Sequence, residues 1–271
     1  MRCLAMECLF SYHFLQKIWQ HIPAQLLILP APAGRASWLQ LPRPKQTIMP
    51  TSVAELASSH GIPVFYMAQW ADVLPHIPAG ELLLTACFPR RVPLFILEQV
   101  TICNIHPSLL PDFRGPDPLF YVARGDAPAG ITIHHMDAHF DTGPIIAQQL
   151  VDISRCVNEA DLIRTHTHAA ASCWLALPSP VPNGVPQPVT GSAAPLPQAT
   201  DFVLDASWSR QRTQRFVQLT NLRQHPYWVP VSQQWVRALH PFGTVEIPCA
   251  DGYLQADPAE APRGVGWPPI Q

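Results

Sequence analysis

Short apolar runs alternate with helical patterns along the first half of the chain. The runs lie at residues 25–29, 63–66, 81–86 and 100–105, and each has the length of a buried strand. Between them, segment 51–60 has Ser52 as a capping residue, Glu55 three positions later and Gly61 after its end, which predicts a helix. Strands that alternate with helices predict an α/β fold with a mainly parallel sheet, covered on both faces.

The pattern changes twice in the second half. Runs at 130–136 and 144–149 suit two strands joined by a polar turn that contains glycine, and a helix is predicted from the N-cap residue Asn158. A Pro-rich stretch follows, typical of a polyproline-like spacer. Beyond it, 208–222 predicts a helix and 235–254 predicts short strands. The expected organisation is therefore a domain over 1–177, a linker over 178–198 and a smaller C-terminal part over 199–271 with a helix and β-structure.

Composition narrows the class of protein. Of 271 residues, 48% are hydrophobic, which excludes wholesale disorder, and 32 are proline, which excludes a mostly helical bundle. Only 13% are charged and the net charge is −2, which argues against binding nucleic acid by bulk attraction to phosphates. No apolar run approaches the roughly 20 residues that span a bilayer.

The cysteines and the N-terminus bear on the compartment. Seven cysteines at irregular spacing, with no CxxC pair, argue against a disulfide framework or a structural zinc site and favour free thiols. The first ten residues loosely resemble a signal peptide, but Glu7 interrupts the apolar stretch and no cleavage site follows. We expect a cytoplasmic protein.

Reactive side chains are densest between Asn104 and Asp141. Asn104 and His106 end a predicted strand and are two residues apart, so their side chains share one face. The carboxyl end of a parallel strand is where open α/β sheets bind ligands. Asp141 lies between the two later strands, which returns its carboxylate to the same crevice. These residues predict a polar active site.

Three segments resemble the folate-dependent formyltransferase family, which includes methionyl-tRNA formyltransferase, glycinamide ribonucleotide transformylase and amino-sugar N-formyltransferases. In chain order they are the folate-pocket-like Thr85-Ala86-Cys87-Phe88-Pro89-Arg90-Arg91-Val92, then Asn104-x-His106-x-Ser108-Leu109-Leu110-Pro111-x-x-Arg114-Gly115, and then Phe140-Asp141-Thr142-Gly143-Pro144-Ile145-Ile146. The resemblance covers about 52–177 and continues weakly into 208–228. It implies a Rossmann-like catalytic domain that transfers a formyl group from 10-formyltetrahydrofolate to an amine, without a metal.

The resemblance also implies roles for individual residues. Asn104 and a protonated His106 would stabilise the oxyanion of the tetrahedral intermediate, which is worth about 3–4 kcal/mol for one donor in related acyl chemistry. Asp141 would favour the imidazolium and help to move the proton that the amine loses. The implied folate contacts are Phe88, Arg90, Arg91, Val92, Leu110, Thr142, Gly143 and Pro144. The implied substrate-binding or supporting residues are Ser11, Tyr12, Ser108, Arg114 and His134, with Ser11 and Tyr12 expected at the first strand–helix turn.

Residues between 135 and 143 also suit two other chemistries. Asp141-Thr142-Gly143 matches the short aspartic-protease signature, but that chemistry needs two such carboxylates and the chain has one copy. His135, Asp137 and His139 would share one face of an extended strand and suit zinc. Exposed polar alternation explains the three residues equally well.

The expected acceptor is a small amine, such as a nucleotide-linked amino sugar or a hydroxyornithine-like amine. Residues 7–13 contain no glycine, which argues against a phosphate-binding loop after the first strand. In 199–271, six arginines are balanced by six acidic residues, a poor surface for gripping tRNA. The alternatives left open are a methionyl-tRNA formyltransferase, a formyltetrahydrofolate hydrolase and a non-catalytic folate- or nucleotide-binding module. A homodimer is also left open.

Overall fold

The structure, a computed structural model, describes residues 1–32, 34, 36–39 and 52–262. The chain forms two compact units, each assembled from three segments. The described residues of Met1–Pro116, Ala129–Asp152 and Ile163–Ala193 form the first unit, and those of Asp117–Pro128, Ile153–Leu162 and Ala194–Gln271 form the second.

The first unit is built on an eight-stranded sheet. Its strands are β1 (Arg2–Ala5), β2 (Leu26–Pro30), β3 (Ser37–Leu39), β4 (Val64–Met67), β5 (Leu82–Ala86), β6 (Thr101–His106), β7 (Gly130–His135) and β8 (Ile145–Leu150). They lie in the order β3-β4-β2-β1-β5-β6-β7-β8. The central pairs β2–β4, β1–β2, β1–β5 and β5–β6 are parallel. The pairs β3–β4, β6–β7 and β7–β8 are antiparallel.

The described residues form six α-helices. They are α1 (Leu9–Ile18), α2 (Val53–Ser59), α3 (Leu94–Leu97), α4 (Pro118–Arg124), α5 (Glu159–Leu175) and α6 (Arg210–Leu219). The predicted cap of α2 is confirmed, since Ser52 Oγ accepts the Glu55 N–H at 3.1 Å. The core of the first unit contains fully buried strand residues such as Leu4, Ile28 and Leu83. Each of these strands reads as an uninterrupted apolar run because both of its faces are covered.

The second unit has its own sheet and its own core. Strands β9 (Tyr227–Val229), β10 (Gln234–Leu239), β11 (Val245–Cys249) and β12 (Gly252–Ala259) pair antiparallel in the order β11-β12-β10-β9. An aromatic cluster packs beneath them, in which the Phe120 ring lies 5.1 Å from Phe202 and 5.5 Å from Phe216, centroid to centroid. Such pairs add about 0.5–1.5 kcal/mol beyond the area that they bury.

The predicted fold class is confirmed, and two details differ from expectation. The last two strands of the first sheet run antiparallel, in agreement with the turn predicted between them. The Pro-rich stretch up to Ala193 is grouped with the first unit, and Val185 exchanges both backbone hydrogen bonds with Ile145 at 2.7 and 2.8 Å. Ser11 and Tyr12 lie within α1, since Cys8 caps this helix earlier than expected.

Two sequence expectations concern the ends of helices. The helix predicted over 208–222 is shorter, Arg210–Leu219, because Ser209 Oγ accepts the Arg212 N–H and so starts the helix two residues later. Thr51, the first residue of the helix predicted over 51–60, lies outside the described residues. Within the described residues, no helix is both long and apolar enough to cross a membrane.

Candidate active site

Four polar side chains meet at the carboxyl end of β6. Asn104 and His106 project from the same face of this strand, and the antiparallel register places Asn104 opposite His134 of β7. The Asn104 Nδ2 atom lies 3.1 Å from His134 Nε2 and 3.4 Å from Asp141 Oδ1. His106 Nδ1 lies 3.6 Å from the same carboxylate oxygen. The structure therefore brings together the three predicted catalytic residues and the predicted supporting histidine.

The tautomer of His106 follows from its neighbours. Its Nε2 atom is 2.9 Å from the carbonyl oxygen of Phe113, and a carbonyl only accepts, so Nε2 carries a proton. The other ring nitrogen, Nδ1, faces the Asp141 carboxylate. In this arrangement neither ring nitrogen of His106 points into open space.

His134 is a neutral ring that holds the Asn104 side chain. Its Nδ1 lies 2.7 Å from the His135 carbonyl oxygen and donates to it, which leaves Nε2 as an acceptor for the Asn104 amide. Burial of the ring and the nearby His106 lower the pKa of His134 from 6.5 to about 4. His134 therefore fixes which end of the Asn104 side chain carries the donor, and it does so without charge at neutral pH.

We expect the buried neutral His134 to make stability depend on pH. The unfolded chain takes up a proton near pH 6.5 and the folded chain only near pH 4, so stability is retained above pH 6.5 and falls as the pH is lowered through this window. Urea unfolding at pH 7.5 and 4.5 should show that the wild type loses roughly 2–3 kcal/mol more than His134→Gln. Gln keeps an acceptor for Asn104. Equal losses in the two proteins would contradict the assignment.

The loop that carries Asp141 is fixed by backbone contacts. Asp141 has a φ of 57°, a left-handed conformation that aspartate tolerates better than most residues. Its Oδ2 atom accepts the Gly115 N–H at 2.9 Å, so the carboxylate is aimed with one oxygen toward Asn104 and His106. Two residues on, a Cβ at Gly143 would lie 1.9 Å from the His135 carbonyl oxygen, so only glycine fits. The carboxylate is thus held before any ligand binds.

Gln187 is a site residue that the sequence does not reveal. Its Nε2 atom donates to the carbonyl oxygens of Asp141 at 3.0 Å and Gly143 at 2.7 Å. Arg114 completes the brace, because its Nε donates to the Asp141 carbonyl at 3.2 Å and its Nη2 donates to Gln187 Oε1 at 2.9 Å. Gln187 lies in the stretch predicted as a spacer, and no local motif marks it. Only the fold brings it to the Asp141 loop.

We expect the Gln187→Leu variant to be less stable by about 1 kcal/mol, because two carbonyls and Arg114 lose a partner. Partial exposure of the site limits the cost, since water reaches part of it. Chemical denaturation would measure the change, with Gln149→Leu on the exposed face of β8 as the control. A Gln187→Leu variant as stable as the control would show that the brace contributes nothing.

The predicted folate segment combines core side chains with an irregular backbone. Phe88 and Val92 are buried in the core of the first unit. Arg90 Nη1 donates to the Ala68 carbonyl at 2.5 Å, and the Arg91 guanidinium lies 5.3 Å from the centre of the Phe140 ring. In the part of the chain that the structure describes, the backbone N–H groups of Phe88, Arg90 and Val92 have no hydrogen-bond partner. A ligand with matching acceptors would satisfy them.

The other predicted contacts have mixed surroundings. Leu110 is buried, and its N–H donates to Thr132 Oγ1 at 3.0 Å. The Thr142 hydroxyl donates to the Asp137 carboxylate at 2.7 Å, whereas Pro144 accepts the His135 N–H at 2.9 Å through its carbonyl.

The hydroxyls of two predicted binding residues are already engaged within the protein. Ser11 is fully buried and donates to the Ala86 carbonyl at 2.8 Å. Ser108, also fully buried, donates to the Asp112 carbonyl at 2.8 Å. Tyr12 on α1 is partly exposed. In this arrangement both serines hold the framework of the site together.

The three residues considered for zinc do not share one face of a strand. β7 ends at His135, so Asp137 and His139 lie in the following loop and do not continue the face of the strand. His135 Nε2 is 2.7 Å from the Pro182 carbonyl, and Asp137 Oδ1 accepts the His139 N–H at 3.0 Å. Among the described residues, no group of three or more histidine, cysteine, aspartate or glutamate side chains is placed to hold a metal ion.

The fold and this cluster define an α/β protein with its polar site at the carboxyl ends of parallel strands. Residues 78–177 match the family model described as formyl transferase. The resemblance seen in the sequence is thereby confirmed.

Sequence relatives carry the tRNA-specific name. A methionyl-tRNA formyltransferase from Bacillus mycoides is 30% identical over 207 residues, which are 73% of this chain and 61% of that protein. One from Streptococcus pyogenes is 29% identical over 160 residues, 57% of this chain and 49% of that protein. The chain thus spans only about half to three fifths of the length of these relatives.

Solved structures show the same fold over nearly the whole chain. A sugar 3N-formyltransferase, solved in the presence of dTDP and 5-N-formyl-THF, matches with a TM-score of 0.61 at 16% identity and covers 95% of this chain and 97% of that one. An N-formyltransferase from Helicobacter canadensis, solved with folinic acid and dTDP-3-aminofucose, matches with a TM-score of 0.60 at 14% identity, with 95% and 99% covered. At these identities the likeness concerns the fold.

Proposed function

We propose that this protein transfers a formyl group from 10-formyltetrahydrofolate to the amine of a small-molecule acceptor. The observation that carries the proposal is the cluster of Asn104, His106, His134 and Asp141, held at one end of β6 inside the segment that matches the formyl transferase family. Formyl transfer needs a donor for the developing oxyanion and a base for the amine proton, and the cluster offers both.

Asn104 is the proposed oxyanion donor. One of its amide hydrogens is held by His134 at 3.1 Å, and the other makes a long contact of 3.4 Å with Asp141. The long contact is the weaker one, so a formyl oxygen can replace Asp141 as the acceptor of that hydrogen at small cost. His134 acts through Asn104 and is a positioning residue.

Asp141 is the proposed proton acceptor. The amine that attacks the formyl carbon must lose a proton, and the Asp141 carboxylate can take it up. The His106 proton on Nε2 is donated to the Phe113 carbonyl, so the Nδ1 atom, 3.6 Å from Asp141 Oδ1, is an acceptor that can share the proton with Asp141. The folate donor, when bound, supplies the activated formyl group, and the backbone N–H groups of Phe88, Arg90 and Val92 are the groups that we expect to hold its ring.

The charges of the second unit support a small acceptor. Arg210 pairs with Asp251 at 3.7 Å, and Arg212 pairs with Asp126 at 2.8 Å. Arginines that are neutralised in pairs contribute little to phosphate binding, which depends on unpaired cations.

Arg223 is bound on two sides. Its guanidinium pairs with Asp117 and, at 3.0 Å, with Glu159, and all three side chains are largely buried. Removing one partner of such a group leaves a buried charge and is costly, so this arginine serves the structure of the unit. Among the described residues of the second unit, these pairs neutralise Arg210, Arg212 and Arg223. Among small amines, a nucleotide-linked amino sugar is the first to test, because structures of the same fold are described as sugar N-formyltransferases.

The acceptor class is tested by two measurements on the full chain. A screen of nucleotide-linked amino sugars and hydroxyornithine-type amines should reveal consumption of 10-formyltetrahydrofolate that depends on the acceptor. Filter binding should show no tRNA affinity that falls steeply between 50 and 200 mM salt, the signature of several phosphate contacts. Steep salt dependence together with formylation of methionyl-tRNA would overturn the small acceptor and establish the tRNA alternative.

A further inference from the structure

Two cysteines lie at the carboxyl ends of neighbouring strands in the first unit. β1 and β5 pair in parallel, with Ala5 opposite Ala86. Cys87 follows Ala86 directly, and Cys8 comes three residues after Ala5. Because paired strands lie about 4.8 Å apart, this register brings both cysteines to the carboxyl ends of these two neighbouring strands. They are 79 positions apart in sequence, so no motif marks them as a pair.

Ser11 holds the Cys8 end of α1 against the end of β5, where Cys87 lies. Cys8 Sγ lies 3.3 Å from Ser11 Oγ. Cys8 is also the N-cap of α1, where its Sγ accepts the Ser11 N–H at 3.4 Å. Ser11 Oγ in turn donates to the Ala86 carbonyl at 2.8 Å, which fastens the start of the helix to the end of β5. Both cysteines are partly exposed, so small reagents reach them.

The surroundings favour the Cys8 thiolate. Hydrogen bonds from Cys87 and Ser11 lower the pKa of Cys8 from 9.0 to about 6, even though burial acts in the opposite direction. By contrast, burial raises the pKa of Cys103 on β6 to about 12 and also raises that of Cys173 on α5. A thiolate beside a second thiol is the arrangement that thiol–disulfide exchange requires.

We propose that Cys8 and Cys87 form an oxidation site at which a low-molecular-weight disulfide, such as oxidised glutathione, generates a reversible Cys8–Cys87 disulfide. The Cys8 thiolate attacks one sulfur of the oxidant, forms a mixed disulfide and releases one glutathione thiolate. Cys87 loses its proton to solvent, attacks the Cys8 sulfur and releases the second glutathione thiolate. The protein gives up two electrons, and the oxidant takes them. The site rests on the geometry of the first unit and not on formyl transfer.

The competing explanation is that Cys8 serves only as a helix cap. Cys8→Ser separates the two roles, because serine is among the best capping residues and does not form disulfides. Its stability should match that of the wild type, while its oxidation should be lost. Cys173→Ser is the matched control, since Cys173 is also partly exposed and burial raises the pKa of its thiol.

The test is peptide mapping of the full chain after oxidised glutathione and alkylation. We expect a linked Cys8–Cys87 peptide in the wild type and in Cys173→Ser, none in Cys8→Ser, and a glutathione mixed disulfide on Cys8 in Cys87→Ser. Dithiothreitol should remove the link. At pH 7, iodoacetamide should modify Cys8 roughly tenfold faster than Cys173, with the rate falling below about pH 6. A wild type without the link, or equal alkylation of the two cysteines, would overturn the proposal.

Discussion

Replacing Asp141 by asparagine is expected to lower kcat/KM for formyl transfer by about 10²–10⁴-fold, the range for loss of a positioned acid or base. The side chain keeps its shape, and its oxygen can still accept the Gly115 N–H. What disappears is the negative charge that faces His106 Nδ1 at 3.6 Å and the oxygen that takes up the proton of the amine. Most of the loss should therefore appear in kcat.

Steady-state kinetics with a matched control checks this result. Glu98→Gln removes a carboxylate from an exposed position in the same unit and should leave kcat/KM unchanged. Urea unfolding of Asp141→Asn should stay close to the wild type, because the hydrogen bond from Gly115 remains. An Asp141→Asn enzyme within threefold of the wild type would remove Asp141 from the chemistry.

Loss of the Asn104 amide is the second large expected effect. Asn104→Ala should reduce kcat by about 10²–10³-fold, as removal of one oxyanion donor does in acyl transfer, with a smaller change in KM. Some stability is lost as well, about 1–3 kcal/mol, because the buried Nε2 of His134 is left without its donor.

Two further variants separate the donor from general damage. Asn104→Asp keeps the size of the side chain but places a second carboxylate about where the 3.4 Å contact with Asp141 now lies, so activity should fall at least as far. Gln99→Ala removes an exposed amide from the same unit and should have no effect. If Asn104→Ala changed KM alone, Asn104 would bind substrate without stabilising the transition state.

The sequence predicts the strands well because each central strand is covered on both faces. Such strands are mostly apolar runs, and 25–29, 81–86 and 100–105 all fall on observed strands. The direction of β7 relative to β6 was not predictable in the same way, since pairing depends on contacts between distant segments.

In the candidate site, too, the features that follow from local periodicity are predictable and those that depend on tertiary contacts are not. Asn104 and His106 are two apart on one strand, so their common face follows from periodicity alone. The opposition of Asn104 and His134 depends on strand register, and the brace from Gln187 depends on a chain segment 46 positions beyond Asp141. The hydrogen bond from His106 Nε2 to the Phe113 carbonyl is also a tertiary feature, and the chemical role of His106 stays a prediction.

The cluster is proposed to pass a formyl group to an amine and not to water. NMR can follow a 13C-labelled formyl carbon from 10-formyltetrahydrofolate directly, with and without an amine acceptor. We expect label in a new formamide only when both the acceptor and an intact Asp141 are present, and no label in formate without acceptor. Label that appears in formate at the same rate with or without the amine would contradict it and identify a hydrolase.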